Sequence, residues 1–163
     1  MRTATLCTLI LLLTALVSAC GGGVAPEAQA ALGKHLGALA GKDKAAIAST
    51  VVPEQRKGAL GLSKELGITG ATKPIKELTL DDLLQVEFFS AIKSATPNTD
   101  LMYAEGADGA RLGASIEFVD GASRVKAFIL KKTGDGWFVD MKATLDWWVK
   151  MDGASALSAI VEK

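Results

Sequence analysis

The side chains able to do chemistry are few and scattered. Tyr103 is the only tyrosine, and Asp100 and Glu105 lie close to it in the chain. A phenol with one or two carboxylates is a set that can move protons. His35 is the only histidine; it stands beside Lys34, next to an apolar helical stripe, and reads as a helix-surface residue. No pair of histidine and carboxylate has metal-ligand spacing. No glycine-rich loop follows a strand with phosphate-cradling spacing, and no serine or threonine sits in a nucleophile elbow. The acids have local explanations instead. Asp81 and Asp82 suit a helix start, Asp108, Asp120 and Asp135 suit turns, and Glu117 suits an ion pair with Arg124. The sequence assigns no catalytic residue, metal or cofactor, and points away from catalysis.

The two cysteines have a different use. Arg2 gives a positive start, and the apolar run Leu9 to Val17 is too short to span a bilayer as a stable helix. It ends in Val17-Ser18-Ala19-Cys20, which resembles the lipobox of bacterial lipoproteins, where small residues precede a cysteine that is lipidated and becomes the mature N-terminus. The resemblance implies a signal peptide over 1–19, lipid on Cys20 and a flexible tether over 20–25. The alternative is an ordinary secretory signal cut further on, near Ala28-Gln29-Ala30. Several acyl chains on one cysteine hold a protein stably, whereas one chain holds it marginally. Gly21 after the cysteine, rather than Asp, resembles the sorting pattern for the outer membrane of a Gram-negative host. With Cys7 removed and Cys20 lipidated, the mature chain has no thiol for a disulfide, a nucleophile or a metal.

Lysine plus arginine equals aspartate plus glutamate at 18 each, so no net charge argues for nucleic acid. The 163 residues, 49% hydrophobic, suit one globular domain over 26–163. Its first half reads as helices. Pro26 opens a helix carrying Ala28, Leu32, Leu36 and Leu39, and Gly41 ends it. Asp43 caps a short helix with Ile47 and Val51, stopped by Pro53. A third helix is expected from about Glu54 to Leu66, weakened by Gly58 and Gly61, and then a loop over Ile68 to Leu78. Thr79, followed by Asp81 and Asp82, caps a helix running to about Ala95 that buries Leu80, Leu84, Phe88 and Ile92. Pro97 and Asn98 break it. A short strand, Leu101 to Glu105, follows, its register open.

The stretch from Arg111 to Lys142 reads as an antiparallel meander. A two-residue turn at Asp120-Gly121 pairs Phe118 with Ser123, Ile116 with Val125, Ala114 with Ala127 and Leu112 with Ile129 on one apolar face. Glu117–Arg124, Ser115–Lys126, Gly113–Phe128 and Arg111–Leu130 then take the other. A three-residue loop, Gly134-Asp135-Gly136, adds Trp137, Val139 and Met141 to the apolar face and turns Asp140 outward. From about 144 a helical tail follows, capped by Thr144, with Trp147, Trp148 and Met151, a break at Gly153, and then Leu157, Ile160 and Val161. Adjacent tryptophans on a helix point about 100° apart, so one can pack inward while the other stays accessible.

Helices first, an Ala-rich opening helix closing on Gly41 before Lys42-Asp43, and a curved antiparallel sheet ending in Asp135-Gly136-Trp137-Phe138-Val139-Asp140 resemble small lipoproteins of the nuclear transport factor 2-like (cystatin-like) superfamily. The resemblance covers about Ala25 to Lys142. It implies an α+β fold with N-terminal helices packed on a curved antiparallel sheet, often leaving a cone-shaped pocket between them. The C-terminal helix is extra to that plan. Some relatives are isomerases or hydratases and many are non-catalytic binding modules. In an isomerase of that kind, Tyr103 with Asp100 or Glu105 is the candidate acid–base set.

Two functions are therefore expected to compete. The first is an envelope lipoprotein, held to the membrane through Cys20, whose pocket or Trp147–Trp148 tail binds an envelope protein partner. The second is a carrier or isomerase-like enzyme for a small apolar molecule held by Tyr103, Ile116, Phe118, Val125, Ile129, Trp137 and Val139 between sheet and helices.

Overall fold

The computed structural model describes residues 23–66, 73–134 and 136–157. The architecture is α+β: helices packed against an open, four-stranded antiparallel sheet of order β1-β2-β3-β4.

Helix α1 (Pro26–Ala40) has a proline in its first turn and buries Ala28, Leu32, His35, Leu36 and Leu39. Ala28, Leu32, Leu36 and Leu39 follow at four- and three-residue steps, and His35 falls between them three residues after Leu32, which is one helix face. Helix α2 (Lys44–Thr50) starts where the Asp43 carboxylate accepts from the Ala46 N–H, and Ile47 is its buried residue. The expected third helix, Glu54 to Leu66, is absent. Pro53–Gln55 makes one 3-10 turn, and Gly58 and Gly61 carry φ of +111° and +61°, a backbone course no helix can follow. Residues 67–72 of the expected loop lie outside the described residues.

Thr79 caps as expected. It forms a reciprocal capping box with Asp82, and its backbone N–H and hydroxyl hold the Asp82 carboxyl down to about 2. The helix behind it does not reach Ala95. It splits into α3 (Leu80–Leu83) and α4 (Glu87–Ser90), after which β1 runs from Ile92 to Ala104. Pro97 lies inside β1, opposite Ala114. A proline is tolerated there because β1 is an edge strand. The strand bulges between Asn98 and Met102, which oppose the adjacent residues Gly113 and Leu112. The bulge folds Leu101 onto β2, and a Cβ at Gly113 would stand 2.7 Å from the Leu101 Cβ. Gly113 makes that approach possible.

Strands β2 (Gly109–Phe118) and β3 (Ser123–Thr133) are offset by one residue from expectation. Ile116 faces Arg124, Ala114 faces Lys126, Leu112 faces Phe128 and Ala110 faces Leu130. The turn uses three residues, Val119-Asp120-Gly121, with Gly121 at φ +85° and the Asp120 carboxylate accepting from the Ala122 N–H. The slip exchanges the faces of β3. Phe128 and Leu130 enter the core, while Val125 is 51% exposed. Phe128 decides it: its ring meets Trp148 edge-on at 5.4 Å and His35 at 5.8 Å, contacts unavailable on the other face. Glu117 consequently lies across from Ser123, and Lys93 reaches it at 2.7 Å.

The same offset reverses the choice of the next loop. Strand β4 (Gly136–Val139) pairs Thr133 with Gly136, Lys132 with Trp137 and Leu130 with Val139, so the loop is Gly134-Asp135, with Asp135 outside the described residues. Because β3 has turned over, this loop places Val139 in the core beside Leu130. Asp140 meets Ile129 on the outer side, where its N–H donates to the Ile129 carbonyl at 2.9 Å.

Asp140, and not Thr144, caps the last helix, α5 (Met141–Asp152), by accepting from the Ala143 N–H. Gln55 steadies this start: its amide N–H donates to Asp140 at 2.8 Å and its carbonyl accepts from the Met141 N–H at 2.9 Å. Helix α5 then runs along the half of β3 that the short β4 leaves unpaired. Thr144 accepts from the Ile129 N–H at 2.9 Å, and the Trp148 indole N–H donates to the Ala127 carbonyl. Side chains of a helix thus close an exposed sheet edge. Gly153 ends the helix as expected, and Leu157 is buried; Ile160 and Val161 lie outside the described residues.

Candidate functional site

Helix α5 straddles the β3 edge, and its two tryptophans fall on opposite sides of the sheet. Trp148 is 1% exposed and joins Phe88, Phe89 and Phe128 in an aromatic cluster. Trp147 is half-buried on the outer face, with the Arg111 guanidinium 4.2 Å from its ring centre. Arg111 also lies 5.0 Å from the Tyr103 ring, its register partner on β1, and its Nε is 3.6 Å from a Glu105 oxygen. Lys150 approaches the Trp147 ring at 5.5 Å.

Around this stack the outer face forms a groove of about 500 Å³, lined by Leu101, Tyr103, Arg111, Val125, Ala127, Trp147 and Met151. Each element contributes for a stated reason. The β1 bulge brings Leu101 over Gly113, the β2–β3 offset turns Val125 outward, and α5 supplies Trp147 and Met151 from one face. Five large apolar side chains are exposed among the described residues, and Leu101, Tyr103, Val125 and Met151 are four of them. All four line this groove. At the rim, Lys126 is 5% exposed and bound to Asp152 and, at 2.9 Å, to the Ala156 carbonyl, which ties the end of α5 to the sheet. A buried ammonium paired this way is satisfied and fixes the groove wall.

The expected pocket between sheet and helices is occupied by the protein itself. Ile116, Phe118 and Val139 have no exposed surface and belong to the core. Ile129 is half-buried on the outer side, and Trp137 is half-buried against α1. Of the residues expected to line that pocket, Tyr103 and Val125 join the outer groove instead, where they meet Trp147 and Trp148. Tyr103 is 50% exposed, and Glu105 is engaged with Arg111. Neither is enclosed as a proton-transfer pair in an apolar pocket would be. Among the described residues no group of three or more His, Cys, Asp or Glu side chains could hold a metal ion, and no helix is long and apolar enough to cross a membrane.

His35 is not on the surface. It is fully buried, its Nδ1–H donating to the Thr50 hydroxyl at 2.8 Å, while that hydroxyl donates to the Ile47 carbonyl at 2.7 Å. The chain of donors makes Nδ1 the protonated nitrogen and leaves Nε2 an unpartnered acceptor. Burial pushes its pKa from 6.5 down to about 3. The signal was present in the sequence, because His35 follows Leu32 by three residues and precedes Leu39 by four, on the stripe itself. Arg111 had a weaker one: Tyr103 and Arg111 flank the Asp108-Gly109 turn and pair once the β1 register is known.

No protein family, curated protein or solved structure matches this chain.

Proposed function

We propose that this chain is an envelope lipoprotein, anchored through Cys20, whose domain is a non-catalytic binding module that engages a protein partner through the outer-face groove. One observation carries the binding part: four of the five exposed large apolar side chains gather in a single concavity instead of scattering. Trp147, Tyr103 and Arg111 are the residue types that dominate binding hot spots, and their mutual stacking pre-forms the surface. The leader sequence supports the anchor, and the helices on an antiparallel sheet support placing the domain with the nuclear transport factor 2-like lipoproteins.

The test inserts a photo-crosslinking residue at Met151 or Val125 in the intact chain in its own envelope. A discrete adduct with one envelope protein is expected from both positions and none from Lys57, remote in sequence. No adduct at either position sinks the binding reading. In parallel, a clickable fatty acid should label the wild type and not Cys20→Ala; an unlabelled wild type sinks the anchor.

A second reading is favoured by the groove's size. A volume of about 500 Å³ with apolar walls suits a small apolar molecule. A carrier of that kind would release the molecule on solvent extraction of the purified protein, and mass spectrometry would detect it in place of a crosslinked partner.

A further inference from the structure

Three charged side chains line the outer groove: Arg111, Lys126 and Asp152. Lys126 and Asp152 are bound to each other, and Lys126 also meets the Ala156 carbonyl, so that pair is spent on the fold. Arg111 is different. Its guanidinium carbon lies 4.2 Å from the Trp147 ring centre and 5.0 Å from that of Tyr103, both within reach of a cation–π contact. The side chain is 24% exposed, and its Nε stands 3.6 Å from one Glu105 oxygen, too far for a hydrogen bond. No described residue accepts a hydrogen bond from the guanidinium. Two rings thus hold a planar, five-donor group in place and leave its N–H edge unspent.

Net charge does not select the occupant. In and beside the groove, Arg111, Lys126 and Lys150 stand against Asp152, Glu105 and Asp100, the chain neighbour of Leu101. These cancel, so no field draws an acid in from a distance. The selection is local. Whatever fills the groove covers the Arg111 donors, and an occupant without an acceptor there leaves them desolvated and unpaired, which is costly. A carboxylate on that edge gains two parallel charge-assisted hydrogen bonds. Glu105 shows that a side-chain carboxylate comes up to this group. Arg111 pairs with Ile129, and Val125 lies four residues from Ile129 along β3, about 13 Å. An extended chain lying along the groove crosses from one to the other in about four residues.

We propose that the partner docks an extended segment in which an aspartate or glutamate side chain takes the Arg111 guanidinium. A large apolar side chain, about four residues away, packs on Val125 and Met151. The proposal rests on the protein-partner reading above and names the chemistry by which that partner is chosen. Glu105 is then a neighbouring like charge that opposes the incoming carboxylate.

The test repeats the crosslinking at Met151 with the intact chain in isolated envelopes. Arg111→Gln should lower the adduct about tenfold or more, as loss of a charged hydrogen-bonded pair does. Glu105→Gln should raise it severalfold, whereas a residue that merely supported Arg111 would lower it on removal. The crosslinked partner segment, mapped by mass spectrometry, should contain an acidic side chain. Hexanoate is the free carboxylate probe and hexanol its uncharged counterpart. Hexanoate should reduce the wild-type adduct more strongly than hexanol, and the two should act alike on Arg111→Gln. Circular dichroism checks that each variant is folded. A folded Arg111→Gln with the wild-type adduct, hexanoate no stronger than hexanol, or a mapped segment without an acidic side chain each overturns the proposal and leaves the partner reading standing. No adduct from the wild type sinks that reading itself.

Discussion

The two faces of the sheet carry the same kinds of residue and have opposite fates. On the inner face Leu112, Ala114, Ile116, Phe118, Phe128 and Leu130 are each 1% exposed or less. On the outer face Tyr103, Arg111, Val125 and Ala127 meet a groove that the chain leaves open. The difference lies in what comes back to cover each. The inner face receives α1, the α4 phenylalanines and Trp148. Opposite them, the outer groove is approached only by α5, which sets Trp147 over a guanidinium, brings Met151 beside it and shows the groove one side of Trp148. Apolar character alone therefore does not separate core from binding surface; the number of elements returning to a face does. Trp147 and Trp148, neighbours in the chain, state the contrast at one residue's resolution.

The contrast predicts unequal costs on removal. Trp148→Ala empties a cluster that includes Phe88, Phe89 and Phe128 and leaves the Ala127 carbonyl without its donor. A loss of about 3–5 kcal/mol is expected, read as a fall in the urea midpoint. An unchanged midpoint would refute the claim that Trp148 seals the inner face.

The inner face should also be the acid-sensitive one. His35 stays neutral in the fold down to about pH 3, while the unfolded chain takes up a proton near 6.5. The unfolded state binds more protons throughout that window, so stability falls as pH falls, by about 1.4 kcal/mol per unit from this residue. Above 6.5 its contribution is constant. His35→Leu should flatten the profile between those limits, and a profile as steep as the wild type's would show that other groups set it.

How much of this contrast the sequence displayed can be traced to particular residues. Local signals are legible in the sequence: the α1 span, the Asp43 and Thr79 caps and the Gly153 stop each depend on neighbours within a few positions. The face of β3 is not, because apolar residues occupy both parities, Val125 and Ile129 on one and Phe128 and Leu130 on the other. A two-residue and a three-residue turn both accept Asp120-Gly121, and the choice between them turns on contacts with His35 and Trp148, far away in the chain. The one-residue offset carries forward to the β4 loop. The four-residue spacing of Leu84, Phe88 and Ile92 likewise imitates one helix across what are two short helices and a strand. The groove depends on the turned-over β3, so of its residues Tyr103, Val125 and Trp147 were singled out, but not their company.

Gly113→Ala sharpens the comparison from between the faces. Its Cβ would meet the Leu101 Cβ at 2.7 Å and the Leu101 carbonyl oxygen at 3.3 Å, so the bulge backbone must move. Overpacking of this kind costs about 1–3 kcal/mol. The displaced bulge carries Leu101 out of the groove, so crosslinking at Met151 should weaken while the inner face, read by near-ultraviolet circular dichroism of the buried aromatics, stays as it was. A matched loss of both signals would mean that the two faces are coupled and not separately built.

The smallest expected effect is also the sharpest test. Trp147→Ala removes a ring that is half-buried and whose specific contacts are with Arg111 and Lys150. A cation over an accessible ring stabilises by about 0.5–1 kcal/mol, and the half-buried indole, which packs on the margin of the core, forfeits about as much again in apolar burial. Folding stability should therefore fall by about 1–2 kcal/mol, less than for Trp148→Ala one position away. Crosslinking at Met151 should nonetheless drop steeply, since Arg111 loses the ring that orients it. If the two tryptophans instead cost the same stability, Trp147 is core and the outer groove is an accident of packing. If Trp147→Ala costs little stability and leaves crosslinking intact, the partner surface lies elsewhere. Only a small stability change joined to a large binding change fits a sheet with one face built to fold and the other to bind.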